Sequence, residues 1–141
     1  MKKLAKQQLV AAAIAASKRA VAPYSDFHVG AALLTKRGVI IAGANVESAS
    51  YGLTCCAERI ALFKALTDGE REFVAIAVVA RTPGGPMPCG ACRQLLAEHA
   101  PQAVVLVADI GRPSMMRRFS VAGLLPRPFK KVGIWRNGKS S

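Results

Sequence analysis

The feature that most constrains this chain's fold is a set of three cysteines that only tertiary structure can unite. Cys56 stands in Cys56-Ala57-Glu58, and far downstream Cys89 and Cys92 lie in Pro88-Cys89-Gly90-Ala91-Cys92. A Cys-x-x-Cys at a helix start brings two sulfurs within reach of one ion, and the first turn of another helix offers the third. Helix N-terminal ends favour the thiolate, which is the form that binds metal. Three thiolates leave the fourth tetrahedral position of a zinc ion open, as catalytic rather than structural sites do. The two histidines, His28 and His99, lie at no customary ligand spacing. A closed structural site therefore lacks its fourth ligand.

Glu58 follows Cys56 by two residues, close to the open side of such a metal but outside the ligand set. Zinc lowers the pKa of a coordinated water to about 7, and a neighbouring carboxylate can then accept and return the proton. Arg59 can donate hydrogen bonds to the thiolates and offset their excess negative charge. Cys55 reads as a small buried hydrophobe.

The apolar pattern surrounds these motifs with regular structure. Residues 4–21 carry helical spacing and stop before Pro23. Residues 29–35 and 39–46 read as strands of a hairpin about Lys36-Arg37-Gly38. Residues 55–66 read as a helix with Thr54 as its N-cap. Residues 74–80 are almost continuously apolar, as in a central strand covered on both faces. After the loop at 82–88, a helix runs from Cys89 to His99, followed by strands at 103–108 and 115–120 and a short helix at 121–125. The expected fold is α/β: a three-layer α/β/α arrangement with a mixed five-stranded sheet in one domain, residues 1–141, with a basic tail at 130–141.

No apolar run approaches the ~20 residues of a membrane span. Lys2 and Lys3 precede an apolar stretch at 9–16, but that stretch is Ala-rich and helical rather than a secretory signal. Four cysteines could form two disulfides in a secreted chain; with three of them in a ligand pattern, reduced thiols and a cytoplasmic setting are expected. The net charge of +12 and pI near 10.2 attract polyanions non-specifically. The bases are scattered, which fits a solvated face better than a nucleic-acid site.

Four stretches carry a resemblance to a known family: residues 22–32 (APYSDFHVGAA), 45–54 (NVESASYGLT), 56–59 (CAER) and 88–94 (PCGACRQ). Over residues 22–129 the chain resembles the small, all-cysteine, homotetrameric cytidine deaminases. The resemblance implies one Zn²⁺ per subunit on Cys56, Cys89 and Cys92, with Glu58 as the catalytic proton carrier. It implies that Asn45 and Glu47 hydrogen-bond the ribose, that Phe27 packs on the pyrimidine, and that the backbone of Ala57 touches the base. It also implies that Tyr51 and Phe129 reach a neighbouring subunit's site. The expected reaction is hydrolysis of cytidine and 2′-deoxycytidine to the uridine forms and ammonia, in pyrimidine salvage. Arg127-Pro128 departs from the smaller residues expected before the terminal aromatic, which keeps N4-substituted cytosine nucleosides or a blasticidin-like nucleoside as alternative substrates. A nucleic-acid editor fits less well, because such enzymes usually place His at the first ligand position and Glu47 would repel a phosphodiester.

Overall fold

The structure is a computed structural model, which describes residues 1–130. The elements run α1 (Lys3–Ser17), β1 (Val29–Thr35), β2 (Ile40–Ala44), a 3-10 turn (Tyr51–Leu53), α2 (Ala57–Thr67), β3 (Phe73–Ala80), α3 (Gly90–His99), β4 (Val104–Asp109), β5 (Arg117–Ser120) and α4 (Val121–Leu124). The strands form one five-stranded sheet in the order β2-β1-β3-β4-β5. Only β3 and β4 pair in parallel, across the α3 connection; the other pairs are antiparallel. The expected mixed α/β fold is therefore present, and the basic tail beyond residue 130, with Trp135, lies outside the described residues.

Strand alternation divides the core into two layers. Leu33, Ile76, Val78, Val105 and Val107 face α2 and α3, whereas Ala32, Ala75, Ala77, Val79 and Leu106 face α1. The apolar run at 73–80 is buried at every position except Val74, as a strand covered on both faces should be. The sheet is unusually rich in small residues where helices cross it. A Cβ on Gly30 would stand 1.9 Å from the Ala13 carbonyl oxygen of α1, and one on Gly43 would stand 2.6 Å from the Ala61 nitrogen of α2. These two positions let both helices rest on backbone.

Several expected boundaries shift. α1 ends at Ser17, not residue 21, where the Ser17 hydroxyl donates to the Ile14 carbonyl at 2.6 Å. Val21 leaves the helical path to bridge Val46, which bridges Cys55 on its other side. The hairpin turns through Gly38 at φ 88°, and β2 is shorter than expected. Cys55 lies outside α2, whose first residue is Ala57, and Thr54 is not its N-cap. The Thr54 hydroxyl oxygen instead accepts the Ser48 N–H at 3.0 Å and closes the loop before the helix.

Candidate active site

The site end of the sheet gathers the start of β1, the end of β2, the carboxyl ends of the parallel β3 and β4, and the N-termini of α2 and α3. Crevices at the carboxyl ends of parallel strands are where α/β sheets place their ligands. The Val46–Cys55 bridge, with N···O distances of 2.9 and 3.0 Å, delivers the chain to α2. Cys56 then takes the N-cap position of α2 with extended backbone, and Cys89 takes the same position on α3. Neither side chain caps its own helix, so both sulfurs stay free at positive helix ends.

The sulfurs converge. Cys56 and Cys89 Sγ are 3.8 Å apart, and Cys89 and Cys92 Sγ are 3.6 Å apart. Sulfurs on a tetrahedral zinc ion, each about 2.3 Å from the metal, stand about 3.8 Å apart. The three residues thus fit a zinc ion in both chemistry and spacing. Hydrogen bonding from the Cys92 thiol, with Arg59 adding to it, draws the Cys56 thiol down to about 5. The Cys92 thiol is pushed up by the same hydrogen bond and by burial.

Glu58 is buried against this cluster, only 5% exposed. Burial pushes its carboxyl up to about 7, and the Cys56 sulfur adds to the rise. A carboxyl at that value exchanges protons readily near neutrality. Arg59 Nη2 donates to Cys56 Sγ at 3.5 Å and to the Thr54 carbonyl at 3.3 Å. Its Nε is buried with no partner among the described residues. The Cys56 sulfur holds the guanidinium still more firmly in its charged form.

The expected sugar-binding residues are already engaged within the chain. Asn45 is buried, accepting the Val29 N–H at 2.9 Å and donating Nδ2 to the Phe27 carbonyl at 2.9 Å. It straps the segment that presents Phe27. Glu47 Oε1 accepts the N–H groups of Tyr24 and Ser25 at 3.0 and 3.1 Å, and its Oε2 accepts the Ser25 hydroxyl. The Ser25 hydroxyl is the main cause holding the Glu47 carboxyl below its ordinary value. Each residue retains spare capacity, a second N–H on Asn45 and free lone pairs on Glu47. Between them Asp26 takes φ 57°, and Phe27 is 41% exposed rather than core. Ala57 is wholly buried at the first position of α2.

Tyr51 and Phe129 stand 87% and 75% exposed. Neither is covered by the described residues of its own chain. Three polar residues within the quoted motifs have structural roles that their residue types did not reveal. Ser25 holds Glu47, while Arg93 Nε donates to the Pro88 carbonyl at 2.7 Å and Nη1 to the Leu124 carbonyl at 3.0 Å. Gln94 bonds the backbone of Phe129. The signal was their place in the stretches that carry the family resemblance, where Arg93 and Gln94 directly follow Cys92.

Residues 4–108 match the family model described as the cytidine and deoxycytidylate deaminase zinc-binding region. A cytidine deaminase from Halalkalibacterium halodurans is 60% identical over 125 residues, covering 88% of this chain and 93% of that protein. One from Sporosarcina psychrophila is 45% identical over 129 residues, covering 91% of this chain and 93% of that protein. The crystal structure of a cytidine deaminase from Burkholderia pseudomallei superposes with a TM-score of 0.84 at 48% identity, covering 92% of this chain and 100% of that one.

Proposed function

The chain belongs to the cytidine and deoxycytidylate deaminase family, and from that premise we propose that it hydrolyses cytidine and 2′-deoxycytidine to uridine and 2′-deoxyuridine with release of ammonia. The observation that carries the reading is the packing of a buried Glu58 against the convergent sulfurs of Cys56, Cys89 and Cys92. Zinc held by these thiolates supplies a Lewis acid that activates water at neutral pH.

The rest of the work falls to the chain. Glu58, outside the ligand set, takes the proton given up by the attacking water and delivers it to the ring nitrogen of the pyrimidine. It then carries the second proton to the departing amine, so that one carboxylate serves both halves of the hydrolysis. Its burial suits both roles, because loss of solvent raises the carboxyl above its ordinary value and makes it a better proton acceptor. Arg59 offsets the negative charge of the ligand set through its bond to Cys56. The Phe27 ring packs on the base, with Asn45 fixing the backbone that follows it through the Phe27 carbonyl and the Val29 N–H. The spare hydrogen-bonding capacity of Asn45 and Glu47 receives the ribose hydroxyls, and the Ala57 backbone borders the base.

We infer a homotetramer with shared sites. The support is the exposure of Tyr51, Leu53 and Phe129, large apolar groups that the described residues of their own chain leave open. Reduced thiols in the ligand set favour a cytoplasmic setting. No helix of the described residues is long and apolar enough to cross a membrane.

The test is a panel of cytidine, deoxycytidine, cytosine, CMP and N4-substituted cytosine nucleosides, followed by the absorbance of the base. Free cytidine and deoxycytidine are expected to react fastest. Glu58→Gln is expected to lower kcat by about 10²–10⁴-fold while zinc content stays at wild type. A zinc-loaded protein that leaves both nucleosides unchanged refutes the reading; preference for an N4-substituted compound redirects it.

A further inference from the structure

Gln94, two residues beyond Cys92, devotes its side-chain amide to the main chain of a single distant residue. Its Nε2 donates to the Phe129 carbonyl at 2.8 Å, and its Oε1 accepts the Phe129 N–H at 3.0 Å. One residue earlier, Arg93 holds the Leu124 carbonyl. Residues 125–130 belong to no helix or strand. Two consecutive side chains near the start of α3 therefore fix both the beginning and the end of that segment.

Ordering irregular backbone has an entropic cost, and such a cost is usually offset by burying the side chains involved. Here the Phe129 ring stays largely exposed, so the described residues gain little apolar burial from the arrangement. What the paired bonds do fix is direction. A primary amide that engages both the N–H and the C=O of one residue imitates the pairing of a neighbouring strand and restrains that residue's backbone. The ring is thereby aimed relative to the helix that carries Cys89 and Cys92.

We propose that Gln94 is a positioning residue for substrate binding: its amide clamps the Phe129 backbone so that the ring forms an aromatic wall of a nucleoside site in the assembled enzyme. This rests on the reading of Phe129 as a substrate contact. The clamp itself is independent of that reading.

The experiment uses the zinc-loaded full chain in four forms besides wild type: Gln94→Ala, Gln94→Glu, Phe129→Ala and the Gln94→Ala/Phe129→Ala pair. Two quantities are read: hydrogen exchange of the peptide containing Phe129, and kcat and KM for cytidine. Losing two neutral hydrogen bonds is expected to speed exchange at Phe129 and raise KM by about tenfold in Gln94→Ala, with kcat within about twofold. Gln94→Glu keeps the volume and the acceptor but turns a carboxylate oxygen toward the Phe129 carbonyl. It is expected to raise KM as well, which lost packing alone does not explain. In the Phe129→Ala background, Gln94→Ala is expected to add nothing to KM, because the two act as one unit.

Unchanged exchange in Gln94→Ala overturns the clamp, even if Phe129→Ala raises KM. Faster exchange together with a wild-type KM in Phe129→Ala overturns the substrate contact, and the proposal with it. A full KM increment from Gln94→Ala in the double variant also refutes the proposal, since Gln94 then acts without Phe129.

Discussion

Gly30→Ala tests how the sheet carries α1. The added Cβ would lie 1.9 Å from the Ala13 carbonyl oxygen, 2.7 Å from the Ser17 nitrogen and 2.9 Å from the Ala13 carbonyl carbon. All three are backbone atoms of one helical turn, so no side chain can swing aside. Ordinary van der Waals contact begins at 3.4 Å, so the helix must withdraw by about 1.5 Å, and a gap of about 0.5–1 Å already forfeits a quarter to a half of the dispersion attraction. Leu9, Val10 and Ala13 are buried in the layer that would open, and full burial of a Leu or Val is worth about 1.5–3 kcal/mol. Partial loss across that layer, with the strain of an overfilled contact, amounts to about 3 kcal/mol. For a chain of this size that corresponds to a fall in Tm of about 6–12 °C. Guanidinium unfolding of zinc-loaded protein should show a lower midpoint at unchanged slope. Gly38→Ala is the control: its Cβ meets nothing within 4 Å, so it carries only the strain of φ +88°, about 1 kcal/mol. If Gly30→Ala is no more destabilising than Gly38→Ala, the close approach of α1 is not what positions it.

Two further outcomes are expected. Arg59→Ala removes the donor to Cys56, so zinc affinity, read by competition with a chelator, should fall about 10–100-fold. Glu47→Gln tests the carboxylate that ties Tyr24 and Ser25. The Ser25 hydroxyl, with smaller help from the two amides and His28, lowers the Glu47 carboxyl below 4.5, so the folded state binds protons less readily than the unfolded state. The resulting stability is present above pH 4.5 and is lost as pH falls through the folded value. The difference in unfolding midpoint between wild type and Glu47→Gln should therefore be full at pH 7 and shrink below pH 4.5; a difference that grows on acidification contradicts this account.

The parts of the fold that were legible in the sequence are those set by side-chain pattern. The apolar run at 73–80 marks the central strand because alternate residues fill both core layers. The ligand cysteines are legible because metal chemistry restricts residue type and spacing. Long-range backbone bonds were not legible. Helical spacing continues beyond Ser17, yet Val21 pairs with Val46 and stops α1 early. Thr54 has the composition of an N-cap, but the Ser48 amide claims its hydroxyl, and Cys56 takes the cap position with no bond to its own helix. Asn45 gave a polar signal that fits sugar recognition. Only the fold reveals that its amide first satisfies the backbone of Phe27 and Val29.

The parallel pairing of β3 with β4 sends both helix starts, with the ligand cysteines, to one end of the sheet. The opposite end holds the turns at 36–38, 68–72 and 100–103, which carry no residue of the candidate site. Gly38 and Gly69 there face open space. Loops of this kind are where insertions are best tolerated. A peptide tag or a small reporter domain grafted at 36–38 would thus sit a full strand length from the chemistry, making that hairpin the natural port for immobilising or labelling the protein without disturbing catalysis.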